Sequence, residues 1–139
     1  MDCVLQSFAH CLNLQKQHII DKLGHDGSQI INGLDPPACY RGFSIFELTV
    51  FALNMGYASV HIPKYNYTMN GQMDKPIVYD DVDMVKPLLN SNRYCLYNNS
   101  HMIGVRWNIV HDALGNIRHI KDIPKFDYQG IILIKRILM

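Results

Sequence analysis

A cysteine acts as a nucleophile where its thiolate is stabilised, and Cys3 stands in such a place. It follows Asp2, a natural helix N-cap, so it falls at the first helical position. Backbone N–H groups there are unpaired and the helix dipole favours negative charge, and both effects lower a thiol pKa. The same N–H groups can face a developing oxyanion. A base is also required, and His101 suits that role. It follows Asn98-Asn99-Ser100, a loop signal, and opens the strand-like run His101-Met102-Ile103-Gly104-Val105. An acid further on, Asp122 in Lys121-Asp122-Ile123-Pro124, would orient the imidazole and stabilise its charged form. Asp112 and Asp127 are rivals: a hairpin symmetric about Leu114 and Gly115 brings Asp127 nearer to His101 than Asp122, while Asp112 sits at the hairpin tip and is expected to be too far away. Cysteine, histidine and acid in this order are equipped for nucleophilic acyl chemistry. The competing account is a buried inert thiol at Cys3 and, at His101, one ordinary surface imidazole among seven histidines.

The elements around these residues follow from periodicity. Leu5, Phe8, Leu12, Ile19, Ile20 and Leu23 recur at helical spacing, which predicts a helix over 3–23 stopped by Gly24. Residues 24–43 are rich in Gly, Pro and Asp and read as a connection, with one helical turn at Ser28 to Asn32. Ser44 and Glu47 form a capping box for a second helix with Ile45, Phe46, Leu48, Phe51 and Leu53 on its apolar face, ended by Gly56. Residues 57–62 alternate as a strand before Pro63, Asn70-Gly71 is a turn, and Asp81 to Leu89 is a short helix limited by Pro87. Strands are then expected at Arg93 to Tyr97, His101 to Val110, Ile117 to Asp122 and Gly130 to Leu138, with a turn at Ala113 to Asn116. Helices first and antiparallel strands afterwards predict an α+β fold in a single domain spanning 1–139.

Composition narrows the function classes. The chain has 139 residues, 48% apolar and 18% charged, enough for a core without disulfide staples. A net charge of +1 with scattered basic residues argues against nucleic acid or a membrane surface as the partner. No apolar run is long enough to span a bilayer, and Met1-Asp2-Cys3 has an acid where a signal peptide carries basic residues. A cytoplasmic location, in its own cell or a host's, is the expectation, with Cys3, Cys11, Cys39 and Cys95 as free thiols. They form no CxxC pair, and His10-Cys11 has no partner pair at ligand spacing, so no metal and no cofactor is implied. Cys11 is expected in the core, and His111, Asp112 and His119 in a solvated turn.

Three segments carry a family resemblance. DCVLQSFAHCLN, RGFSIFELTVFALNMGY, and HMIGVRWN through GNIRHIKDIP resemble, in order, the cysteine-helix, Gly-x-Ser helix and His-strand-turn-strand-Asp-Pro segments of the bacteriocin-processing leader peptidases, a branch of the papain-like cysteine peptidases. The resemblance implies a papain-like fold, N-terminal helices packed on an antiparallel sheet. It also implies Cys3 as nucleophile, His101 as base and Asp122 as orienting acid. Ile123 separates Asp122 from Pro124, where the family has Asp-Pro. The family places an oxyanion-hole glutamine upstream of the cysteine; only Met1 and Asp2 precede Cys3, and Gln6, one turn later, is the substitute candidate. The expected function is hydrolysis of a peptide or isopeptide bond in a peptide or protein substrate. The alternatives are a catalytically weak or inactive papain-like module that captures a protein partner, and acyl transfer by the same triad.

Overall fold

The amphipathic N-terminal segment forms two helices instead of one. α1 spans Cys3–Leu12 and α2 spans Lys16–Leu23. The break lies at Asn13, whose φ of 57° is left-handed. Leu14 N donates to Ala9 O at 2.9 Å and Asn13 N to His10 O at 3.1 Å, the bond pair of a Schellman stop. Apolar periodicity continues across this break, so spacing alone could not reveal it. α2 ends as expected at Gly24, with φ of 80°.

The structure, a computed structural model, describes residues 3–28, 31–32, 40–63, 65–67, 73–76, 92–98, 101–111, 116–123 and 128–137. The turn expected at Asn70-Gly71, the helix expected at Asp81 to Leu89 and the Asp2 cap lie outside these residues. Ile31–Asn32 is a two-residue strand, β1, paired with β2 at Tyr40–Arg41, where a helical turn was expected. α3 covers Ile45–Asn54, and Ser44 Oγ caps it by accepting from Glu47 N at 3.0 Å. The Glu47 carboxylate instead pairs with His25 Nε2. β3 is Tyr57–Pro63, and β4 (Tyr65–Tyr67) pairs with β5 (Met73–Pro76).

The remaining strands are β6 (Arg93–Tyr97), β7 (Met102–Arg106), β8 (Ile109–His111), β9 (Ile117–His119) and β10 (Gly130–Arg136). The run from His101 to Val110, expected as one strand, folds back on itself. Trp107 and Asn108 have φ of 52° and 66°, the two positive values of a type I′ turn. Trp107 thus sits at a hairpin tip, 60% exposed, not in strand packing. β9 stops at His119, and Ile120–Asp122 is a turn of 3-10 helix where strand was expected.

Six strands form one antiparallel sheet in the order β3-β10-β6-β7-β8-β9. Strand alternation divides its side chains between two cores. On one face Cys95, Tyr97, Met102, Ile132 and Ile134 pack with Cys3, Leu5 and Phe8 of α1, Ile19 of α2 and Leu48 of α3. On the other, Tyr94, Leu96, Ile103, Val105, Val110, Ile131 and Leu133 pack with Ile120 and Tyr128. Each fully buried large side chain stabilises this arrangement by about 1.5–3 kcal/mol. The fold is α+β, with N-terminal helices on a six-stranded antiparallel sheet. Among the described residues no helix is long and apolar enough to cross a membrane.

Candidate functional site

The placement of Cys3 follows from how α1 lies on β7. A Cβ built on Gly104 would come within 2.6 Å of Ser7 O and 2.9 Å of Ser7 Cα, so helix and strand touch backbone to backbone there. Further along α1, Cys11 Sγ lies 3.6 Å from Val105 O and 3.4 Å from Tyr94 O, and His10 Nε2 lies 2.8 Å from Ile109 O. Ile109 is level with Arg106. Successive turns of α1 therefore advance in the direction of β7. Its first residue, Cys3, lies toward the end of the sheet where His101 leads into β7. Cys3 is buried, and its carbonyl accepts the Ser7 hydroxyl at 2.7 Å.

His101 is held by its backbone. Its N–H donates to Asn98 Oδ1 at 2.9 Å, and Asn98 N donates to His101 O at 2.9 Å. The asparagine of the loop signal thus closes the β6–β7 turn, leaving the half-buried His101 at the mouth of the strand. Cys3 and His101 occupy one end of the α1–β7 pair.

Asp122 does not join them. Ile120 N donates to Asn108 O at 2.7 Å, which ties the 3-10 turn to the tip of the β7–β8 hairpin. His119 is level with Ile109 and hence with Arg106. Asp122 follows at that far end, exposed, with the length of β7 (roughly 17 Å at about 3.3 Å per residue) between it and His101. The cause is the early reversal at Trp107 and Asn108, which makes β9 run the same way as β7. β8 is the strand that returns toward His101, and His111 is level with Gly104. Asp112 and Asp127, the rival acids, lie outside the described residues. Gln6 is half-buried and lines a different depression, beside His10 and Arg106.

Between α3 and the β3 edge of the sheet lies a cleft of about 320 Å³ that sequence reasoning missed; neither Cys3 nor His101 lines it. Ile45, Phe46 and Thr49 of α3 form one wall, and Ser59, His61 and Tyr97 belong to the other. His61 Nε2 is hydrogen-bonded to the Tyr97 hydroxyl. Burial holds the His61 imidazole below its ordinary pKa and pushes the Tyr97 phenol up. Ser59 Oγ is buried with no hydrogen-bond partner among the described residues. The one available signal was the alternation Ser59-Val60-His61, which puts both polar side chains on one face of β3.

Cys11 and Cys95 lie together in the core. Cys11 Sγ lies 3.7 Å from Cys95 Sγ, and neither residue is accessible to solvent. Hydrogen bonding to Cys11, then burial, pushes the Cys95 thiol well above its usual range. Cys39 lies outside the described residues. Among the described residues no three His, Cys, Asp or Glu side chains converge as a metal site. No protein-family model, curated protein or solved structure matches the chain.

Proposed function

We propose that this chain is a papain-like cysteine peptidase domain in which Cys3 is the nucleophile and His101 the base. The observation that supports this reading is the direction of α1 along β7, read from the Ser7–Gly104, Cys11–Val105 and His10–Ile109 contacts, which puts the helix-start cysteine and the strand-start histidine toward one end of the sheet. The Cys3 thiolate attacks a peptide or isopeptide carbonyl carbon. His101 takes the thiol proton and returns it to the leaving amine as the C–N bond breaks. Water then cleaves the thioester and restores the thiol. The Cys3 backbone N–H at the helix start is the oxyanion donor in this scheme, since Gln6 lines a separate depression. Asp122 has no part in it. An orienting acid would come from Asp112 or Asp127.

The cleft at the β3 edge, walled by Ile45, Phe46 and Ile132, suits an apolar substrate side chain. Hydrolysis of a peptide library by wild-type protein, Cys3→Ala and His101→Ala tests the proposal. The expected result is no turnover in the first variant and a loss of about a hundredfold or more in the second. Unchanged hydrolysis in folded Cys3→Ala protein refutes it.

One observation favours a binding module on the same scaffold. Phe46, Val50 and Leu53, one helical face of α3, are 76%, 41% and 52% exposed, an apolar stripe of the kind that contacts partners. Iodoacetamide titration separates the two readings. A peptidase has one thiol that reacts well below the pH at which free cysteine does, and a binding module has none.

A further inference from the structure

We propose that the depression between α1, the start of α2 and the β7–β8 hairpin binds a small tetrahedral oxyanion, with Arg106 as its principal ligand. The depression measures about 290 Å³. It lies toward the Arg106 end of β7, away from His101, so it stands apart from the proposed peptidase site.

Its lining has a consistent chemical character. Arg106, Lys16, His10 and His111 converge there with the amide side chains of Gln6 and Asn13, and among the described residues no carboxylate lines it. Arg106 Nε is fully buried and has no hydrogen-bond partner among the described residues. Leaving such a donor unsatisfied costs about 1–3 kcal/mol, more for a charged group, so this guanidinium is held in place by packing and not by an acceptor of the protein at Nε. The residue opposite Arg106 on β6 is Arg93, another cation, whose guanidinium lies over the Tyr57 ring at 5.3 Å. The neighbouring strand therefore offers Arg106 no counter-charge. A guanidinium presents paired donors that match two oxygens of a phosphoryl or sulfuryl group.

The two histidines add to the case. Their rings stack at 4.1 Å between centroids with 10° between planes. His10 Nε2 donates to Ile109 O, which leaves Nδ1 as the atom that gains a proton. A charge on either ring would face its neighbour and Arg106, so an anion in the depression relieves a repulsion built into the lining. Gln15, the N-cap of α2, makes no side-chain capping bond, which leaves the positive end of that helix open at the rim.

The test is titration of the full chain with inorganic phosphate, followed by amide NMR at constant ionic strength, with sodium chloride as control. A second arm uses glycerol phosphate, to distinguish a free oxyanion from the phosphoryl group of a small ester. Saturable shifts around His10, Lys16 and Arg106 with a Kd near or below about 1 mM are expected. Arg106→Gln should weaken binding about tenfold or more. Lys16→Gln, at a half-buried helix start outside the core, should weaken it several-fold in a protein that still folds. Cys3→Ala should bind as wild type does. Shifts reproduced by chloride, or equal affinity in a folded Arg106→Gln or Lys16→Gln variant, would overturn the proposal.

Discussion

Ser7 and Gly104 meet backbone to backbone, and a methyl group at Gly104 would lie 2.6 Å from the Ser7 carbonyl oxygen. This close approach seats α1 on β7 and sets how far along the strand its first residue reaches. A side chain at Gly104 would have to lift the helix, because backbone atoms cannot rotate away as a rotamer does.

Gly104→Ala should therefore destabilise the protein by about 1–3 kcal/mol, read as a lower urea midpoint. If Cys3 is the nucleophile, hydrolysis should fall with it even in the fraction that remains folded. A variant as stable as wild type would show that the helix tolerates displacement.

The cleft carries a similar constraint. A Cβ at Gly130 would lie 2.2 Å from the Tyr97 hydroxyl oxygen and 2.4 Å from its ring. Gly130→Ala should turn Tyr97 away from its bond with His61. A loss of about 1–3 kcal/mol and an altered tyrosine absorbance titration are the expected outcomes.

Cys11 and Cys95 should resist iodoacetamide in the folded protein and react once urea unfolds it, as followed by mass spectrometry. Burial keeps the reagent from both sulfurs, and the raised pKa of Cys95 opposes formation of its thiolate.

Asp122→Asn should leave any Cys3-dependent hydrolysis within about twofold of wild type, since Asp122 stands at the opposite end of β7 from His101. Asp112→Asn and Asp127→Asn are the informative pair: the acid that orients His101 should be the one whose removal changes the pH profile of kcat/KM.

Stability should fall in mildly acidic solution. His10 is held below its ordinary pKa, chiefly by burial, with smaller contributions from His111 and Arg106. His61 is lowered by burial as well. As pH drops below about 6.5, the unfolded chain takes up protons that the folded imidazoles resist, so unfolding is favoured. Urea midpoints at pH 7 should exceed those at pH 5, with a smaller difference in His10→Asn.

The local features were legible because they depend on neighbours in sequence. Ser44 caps α3, Gly24 ends α2, and Arg93 to Tyr97 forms a strand, each from side-chain or backbone chemistry within a few residues. The misjudged elements lie where local signals are ambiguous. Asn13 breaks the first helix inside an unbroken apolar period, and Trp107, an unusual residue at positive φ, turns the chain where a strand would continue.

By itself the sequence determined that helices come first and antiparallel strands follow, the helix-start position of Cys3 and the strand-mouth position of His101, because periodicity and capping act over a single turn or pleat. Only the tertiary structure decided which distant residues share a place. Strand register sent Asp122 to the far end of β7, brought Arg106, His10 and His111 together, and joined His61 to Tyr97. Those pairings depend on where one hairpin reverses and where one glycine lets a helix approach, since a shift in register moves every later side chain along the sheet.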